Sequence, residues 1–202
     1  MKLFYAPGAC SLSPHIALRE AGLKFDLAKV DLGAKTVEDG SDFNAINPKG
    51  YVPVLQLDNG EYLTEGPAIV QYIADQNPAS GLAPAAGSSD RYRLQEWLTY
   101  LNSEVHKNFS PLFNPASTDD MKSAASTALD QRLGYVAEQL EGKDFLVGDN
   151  FTAADGYLFT ILGWGKFVGM DIAKWPALAA YAGNIAQRPA VQEAMQAEGL
   201  LG

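Results

Sequence analysis

The chain changes character once along its length, and that change limits its architecture more than any other feature. Up to about residue 77, short apolar runs alternate with helical patterns. The stretch 78–89, Pro-Ala-Ser-Gly-Leu-Ala-Pro-Ala-Ala-Gly-Ser-Ser, has linker composition. Beyond it strand signals stop and long helical patterns follow, near 90–113, 120–141, 152–169, 177–187 and 189–196. The expectation is an α/β domain over 1–79, a linker over 80–89 and an all-helical domain over 90–202. A hydrophobic content of 47% supplies packed cores and excludes general disorder.

Within the first domain the order of elements is informative. Leu3-Phe4-Tyr5-Ala6, ended by Pro7-Gly8, reads as a buried strand. A helix follows, with Ser11 or Ser13 as N-cap, Pro14 in its first turn and Gly22 at its end. Alternation from Phe25 to Leu32 predicts a second strand. Residues 33–50 read as loop with a short helix. Val54-Leu55-Gln56-Leu57, the turn Asp58-Asn59-Gly60-Glu61 and Tyr62-Leu63 read as a hairpin. Pro67 opens a helix running to about Asn77. Two strands joined by a crossover helix lie parallel, and the hairpin adds an antiparallel edge. The result is a four-stranded mixed sheet of thioredoxin-like type.

Charge and rare residues remove whole classes of function. The net charge is −9, with 6 basic and 10 acidic residues before residue 80 and 9 and 14 after it. Neither part is a basic platform for nucleic acid. No apolar run reaches the roughly 18 residues of a membrane span, and Pro7-Gly8 comes too early for a signal peptide, so the expected location is cytoplasmic. One cysteine excludes an internal disulfide, and with only two histidines no metal site is expected. The sequons at Asn108 and Asn150 are read as chance matches.

Four features bear on chemistry. Cys10 lies between a strand end and a helix N-terminus, where N–H groups and the helix dipole lower a thiol pKa; the competing reading is a buried, inert cysteine. Val52-Pro53 precedes a strand, and a cis bond there would turn the Val52 backbone groups toward a cleft. Glu65-Gly66-Pro67 stands at a helix start, fit for a ligand with a carboxylate and an ammonium; a plain helix-dipole role is the alternative. On the helix from 90, Thr99, Ser103 and His106 lie roughly 120–180° from the apolar stripe of Leu94, Leu98, Leu101 and Val105, forming either a solvated face or a cleft lining. His15 is read as structural, and so is the capping-box pattern Thr152-Ala153-Ala154-Asp155.

Tyr5-Ala6-Pro7-Gly8-Ala9-Cys10-Ser11, Lys49-Gly50-Tyr51-Val52-Pro53-Val54-Leu55 and the run from Leu63 to Ile73 together resemble a glutathione S-transferase. Cys10, with Ser103-Glu104-Val105-His106 downstream, resembles the bacterial beta class. The resemblance spans essentially the whole chain and implies a homodimer that conjugates the glutathione thiolate to small hydrophobic electrophiles. It implies a cis Val52–Pro53 bond, the Val52 backbone on the cysteinyl part, Glu65 and Gly66 on the γ-glutamyl end, and Lys35 on the glycyl carboxylate. Thr99, Ser103, Glu104 and His106 would line the cleft, with Cys10 and His106 catalytic. Cys10 would sit at the glutathione sulfur and form a mixed disulfide with it, which leaves two alternatives open: a monothiol disulfide oxidoreductase, or a non-enzymatic binding module. Gly66 departs from the serine many family members carry. Phe109, Phe113 and Trp164 are candidates to line the electrophile pocket or to pack in the core.

Overall fold

The computed structural model describes residues 1–201 and divides into two units. One comprises Met1–Pro84 and the chain from Gln187 onward; the other is Ala85–Ala186. The last helix therefore groups with the sheet-bearing unit, although the sequence order placed it with the helical domain.

The first unit is built on strands β1 (Lys2–Tyr5), β2 (Asp26–Asp31), β3 (Thr36–Val37), β4 (Val54–Gln56) and β5 (Tyr62–Thr64). The sheet order is β3-β2-β1-β4-β5. β1 lies parallel to β2 and antiparallel to β4, and the other pairs are antiparallel. The mixed sheet is as expected but has five strands rather than four. The additional one, β3, is two residues long and pairs Thr36 and Val37 with Asp31 and Val30. The turn between them is held by Asp31, whose carboxylate accepts from the N–H groups of Gly33 and Ala34 at 2.8 and 2.9 Å. A strand that short in a Gly- and Asp-rich stretch leaves no periodicity to read.

Helices α1 (Leu12–Glu20), α2 (Phe43–Ile46) and α3 (Gly66–Gln76) complete the succession. Phe4, Ala28, Val30, Val37, Phe43, Val52 and Val54 share one buried cluster, with Phe43 closing it from α2. Leu12, Ile16 and Leu18 of α1 and Ile69, Val70 and Ile73 of α3 are buried, and the two helices pack together. α1 ends in a Schellman arrangement: Gly22 takes φ +63°, and the Leu23 N–H bonds the Leu18 carbonyl. At the other end Ser11 stands at the N-cap position but makes no cap bond. Its hydroxyl instead accepts from Ala6 N–H at 3.1 Å and donates to Ala6 C=O at 3.2 Å, tying down the loop that carries Cys10.

The second unit contains α4 (Ser89–Tyr100), α5 (Lys107–Phe113), α6 (Asp119–Gln139), α7 (Ala153–Leu162) and α8 (Pro176–Ala186). Ser88 and Thr118 cap α4 and α6 through side-chain bonds to the N–H groups of Arg91 and Met121. Between α4 and α5 the backbone winds as a π-helix over Leu101–His106, so the single helix expected over 90–113 is three segments. The helix expected over 152–169 stops at Leu162, followed by a short 3₁₀ turn, Gly165–Phe167. Gly163 and Gly165 interrupt it, and a Cβ at Gly165 would come within 3.0 Å of the Met170 carbonyl. The last helix, α9 (Pro189–Ala197), belongs to the first unit and leads to Glu198, which is buried there. No described helix is long and apolar enough to cross a membrane.

Candidate functional site

The loop between β1 and α1 presents Cys10 and is fixed at three points. Ser11 holds one, as described. At the second, Gly8 takes φ +70°, and its N–H donates to Glu198 Oε2 at 2.9 Å. The other Glu198 oxygen is 2.8 Å from His15 Nδ1, and Arg19 Nε donates to His15 Nε2 at 3.0 Å. Nε2 therefore accepts and Nδ1 carries the proton. His15 is structural, as its sequence position suggested; its partner, 183 residues away, was not visible there. The third point is the cysteine itself, whose Sγ donates to the Val52 carbonyl at 3.2 Å. The Val52–Pro53 peptide is cis. The Val52 N–H makes no hydrogen bond among the described residues.

The thiol does not have the electrostatics its position suggests. Burial pushes the Cys10 pKa up to about 11, and the negative charge of Glu65 adds to the rise. The N–H groups of Cys10 and Ser11 act in the lowering direction, but desolvation is the larger effect. The residue keeps partial solvent exposure while its sulfur is almost fully enclosed. The expected thiolate at this helix start is thus corrected to a neutral thiol that donates a hydrogen bond.

Two further sequence-derived residues lie in the same unit and share an unusual backbone. Among the described residues, Lys35 (φ +56°) and Glu65 (φ +72°) are the non-glycine residues at positive φ. Such conformations cost of order 1–3 kcal/mol each and concentrate at functional sites. Lys35 Nζ donates to the Gly50 carbonyl at 2.7 Å. Glu65 Oε1 accepts from Lys49 Nζ at 2.6 Å and from the Tyr51 hydroxyl at 3.1 Å, at the mouth of α3. Gly66 opens α3, and a Cβ built there meets nothing within 4 Å. As an N-terminal residue it presents an N–H that its own helix cannot bond.

The helical unit holds the remaining candidates. Thr99 and Ser103 are exposed, and the Thr99 hydroxyl bonds back to the Gln95 carbonyl at 2.7 Å. Glu104 is engaged by Arg132, whose Nε and Nη2 lie 3.1 and 3.0 Å from Oε2. His106 is partly buried, with Nδ1 2.6 Å from the Tyr157 hydroxyl and its ring 4.7 Å from that of Trp164. Sequence reading missed Tyr157 and Asn102, which share this hydrogen-bonded group. The i, i+4 spacing of Asn102 and His106 was the available signal. Of the three candidate aromatics, Phe109 and Trp164 are buried, and only Phe113, 48% exposed, offers a face to solvent. No group of three or more His, Cys, Asp or Glu side chains is arranged to hold a metal ion among the described residues.

Burial, with Lys107 adding to it, lowers the His106 pKa to about 4. An unfolded chain takes up this proton near 6.5, so between these values the unfolded state binds more protons and stability falls as pH falls. The expected contribution is about 2–3 kcal/mol lost between pH 7 and pH 4, after discounting for partial exposure. Urea unfolding at both pH values should show a smaller loss for His106→Asn than for the wild type; equal losses would refute it.

Comparison with known proteins agrees with this geometry. The chain matches the models "Glutathione S-transferase, N-terminal domain" over residues 8–76 and "Glutathione S-transferase, C-terminal domain" over residues 100–189. It is 48% identical to glutathione S-transferase GstA of Escherichia coli O157:H7, covering 99% of this chain and 100% of that one. A sphingomonad glutathione S-transferase solved in complex with glutathione is 58% identical, with a TM-score of 0.96 over 99% of this chain and 100% of that one. The bacterial beta class glutathione S-transferase of Sphingomonas chungbukensis is 55% identical, with a TM-score of 0.97 and full coverage of both chains. With both domain models matched and these identities running the length of the chain, the protein belongs to the glutathione S-transferase family, with its likeness to the bacterial beta class.

Proposed function

We propose that this protein conjugates the thiolate of glutathione to small hydrophobic electrophiles, acting in the cytoplasm as a homodimer. The observation that carries the site assignment is the pair of strained residues, Lys35 and Glu65, in the unit that also presents Cys10 and Val52. The Val52 N–H and C=O suit the peptide groups of the cysteinyl part. The Gly66 N–H, at the start of α3, suits the γ-glutamyl carboxylate. Glu65 suits the ammonium, which would take the place of Lys49, and Lys35 suits the glycyl carboxylate. The assignment of Thr99, Ser103, Glu104 and His106 on the helical unit comes from the family resemblance alone.

A glutathione thiol with an ordinary pKa near 8.5 is mostly protonated at neutral pH. Lowering it by two units takes about 2.7 kcal/mol of preferential thiolate stabilisation. The neutral Cys10 thiol is a donor fit for this task once its S–H turns from the Val52 carbonyl to the bound sulfur. The thiolate then attacks the electrophilic carbon. A carbon–sulfur bond forms, and the leaving group departs with its electron pair. Phe113 is the exposed aromatic that would meet an apolar acceptor. The oxidoreductase alternative is less favoured, since a thiol with a pKa near 11 is ionised to the order of one part in 10⁴ at pH 7.

The test is glutathione-dependent conjugation of a chloronitrobenzene, scored by chloride release. No rate above background at high enzyme concentration would end the proposal. Gly66→Ser gives a more local check, because the structure leaves room for the side chain. A hydroxyl placed at the α3 start should lower KM for glutathione about 2–5-fold, the worth of one partly exposed hydrogen bond. An unchanged or higher KM would argue against a carboxylate at that helix start.

A further inference from the structure

One turn of the first unit, residues 47–51, satisfies both charged side chains assigned to the ends of the tripeptide, and it does so unequally. Lys35 Nζ donates to the Gly50 carbonyl at 2.7 Å, a neutral acceptor, and makes no ion pair among the described residues. Its positive charge stays uncancelled. Glu65 is paired with a cation: Lys49 Nζ lies 2.6 Å from Oε1 and also donates to the Thr64 hydroxyl at 2.9 Å. The bond to Glu65 holds the Lys49 pKa above its ordinary value, so the ammonium is kept. The Tyr51 hydroxyl donates to the same Oε1 at 3.1 Å but brings no charge. The backbone that carries Lys49 is fixed. The buried Asn47 side chain accepts from Lys49 N–H at 3.2 Å and donates to the Tyr51 carbonyl at 2.8 Å. The lysine stem is not fixed: the side chains of Lys49 and Glu65 are 45% and 50% exposed, so water screens the pair and rotation of the stem opens it.

We propose that Lys49 is an internal competitor for the ligand's ammonium: it occupies Glu65 in the free protein, and glutathione binds by displacing it. The statement rests on the glutathione reading above and adds a rule of specificity to it. Exchanging one ammonium for another on the same carboxylate yields little net free energy, because the pair formed replaces the pair broken. A glycyl carboxylate that meets Lys35 breaks no ion pair and keeps its full gain. The site therefore selects its ligand by the carboxylate at the glycyl end more than by the amine at the γ-glutamyl end. The neutral Tyr51 bond survives the exchange and keeps the Glu65 carboxylate oriented as the lysine leaves.

Isothermal titration calorimetry with glutathione, its desamino analogue and its glycyl amide tests this. The wild type should bind the desamino analogue within about threefold of glutathione, and the glycyl amide about tenfold more weakly. Lys49→Met keeps the stem and removes the charge. It should widen the preference for glutathione over the desamino analogue about 2–5-fold, the worth of one exposed ion pair, by tightening glutathione. Lys49→Arg should restore the wild-type ratio. In a Glu65→Gln background Lys49→Met should leave the ratio unchanged, because the shared carboxylate is gone. A ratio that Lys49→Met leaves unchanged or narrows, or a wild type that loses more affinity with the amine than with the carboxylate, would overturn the proposal. Absence of glutathione binding by the wild type would instead overturn the functional reading on which the proposal rests.

Discussion

Replacing Asp155 by alanine should destabilise the protein by about 3–5 kcal/mol, the largest effect expected from any single polar substitution in the helical unit. The carboxylate is fully buried, and four donors converge on it. Leu146 N–H and the Tyr181 hydroxyl meet Oδ1 at 2.9 and 2.8 Å. Thr152 N–H and the Thr152 hydroxyl meet Oδ2 at 2.7 and 2.8 Å. Alanine leaves three of the four without that acceptor in a place water does not reach, and the Tyr181 hydroxyl only its 3.4 Å contact with the backbone carbonyl of residue 155, whereas losing an ordinary exposed helix cap costs about 1 kcal/mol. Chemical denaturation is the measurement, and a loss below about 1.5 kcal/mol would show that the site relaxes or admits water. Thr152→Ala removes one donor and not the acceptor, so its cost should be well below that of Asp155→Ala.

The second large effect concerns Cys10. Its thiol should react about tenfold more slowly with iodoacetamide at pH 7 than an unhindered cysteine. Two pKa units cut the thiolate fraction about 100-fold, and the greater nucleophilicity of the more basic thiolate recovers roughly a factor of ten. The rate should keep climbing past pH 9, toward a midpoint near 11, instead of levelling off. With one cysteine in the chain, mass spectrometry of the whole protein follows this single reaction. A plateau below pH 8 would restore the thiolate picture that the sequence suggested. Because a neutral thiol is a weak donor, Cys10→Ala should cost conjugation no more than about tenfold while abolishing any mixed disulfide with glutathione.

The contrast between where Cys10 lies and how it is charged shows what the sequence could convey. Its place between a strand end and a helix start was legible because both are local patterns within about ten residues. Its pKa was not, because the enclosure includes the Val52 carbonyl from 42 residues away and the charge of Glu65. The same holds for His15, whose role depends on Glu198 at the far end of the chain. The hairpin at Asn59-Gly60 and the helix after Pro67 appear as read, since turn and cap residues state their geometry directly. The π-helical turn carries no distinctive composition, and it is what brings Asn102 and His106 to Tyr157. Lys35 entered only through the family resemblance. Its positive φ has no signature in a lysine, although it marks the residue clearly once the backbone is seen.

Glutathione bound to the Cys10→Ser variant offers the most direct examination of the mechanism. That variant keeps a donor at position 10 and removes the only protein thiol, so any ultraviolet thiolate absorbance belongs to the ligand. Titrated at saturating protein, the bound thiol should ionise at least one unit below its ordinary value near 8.5. Ionisation at the solution value, or no saturable binding at all, would contradict the account.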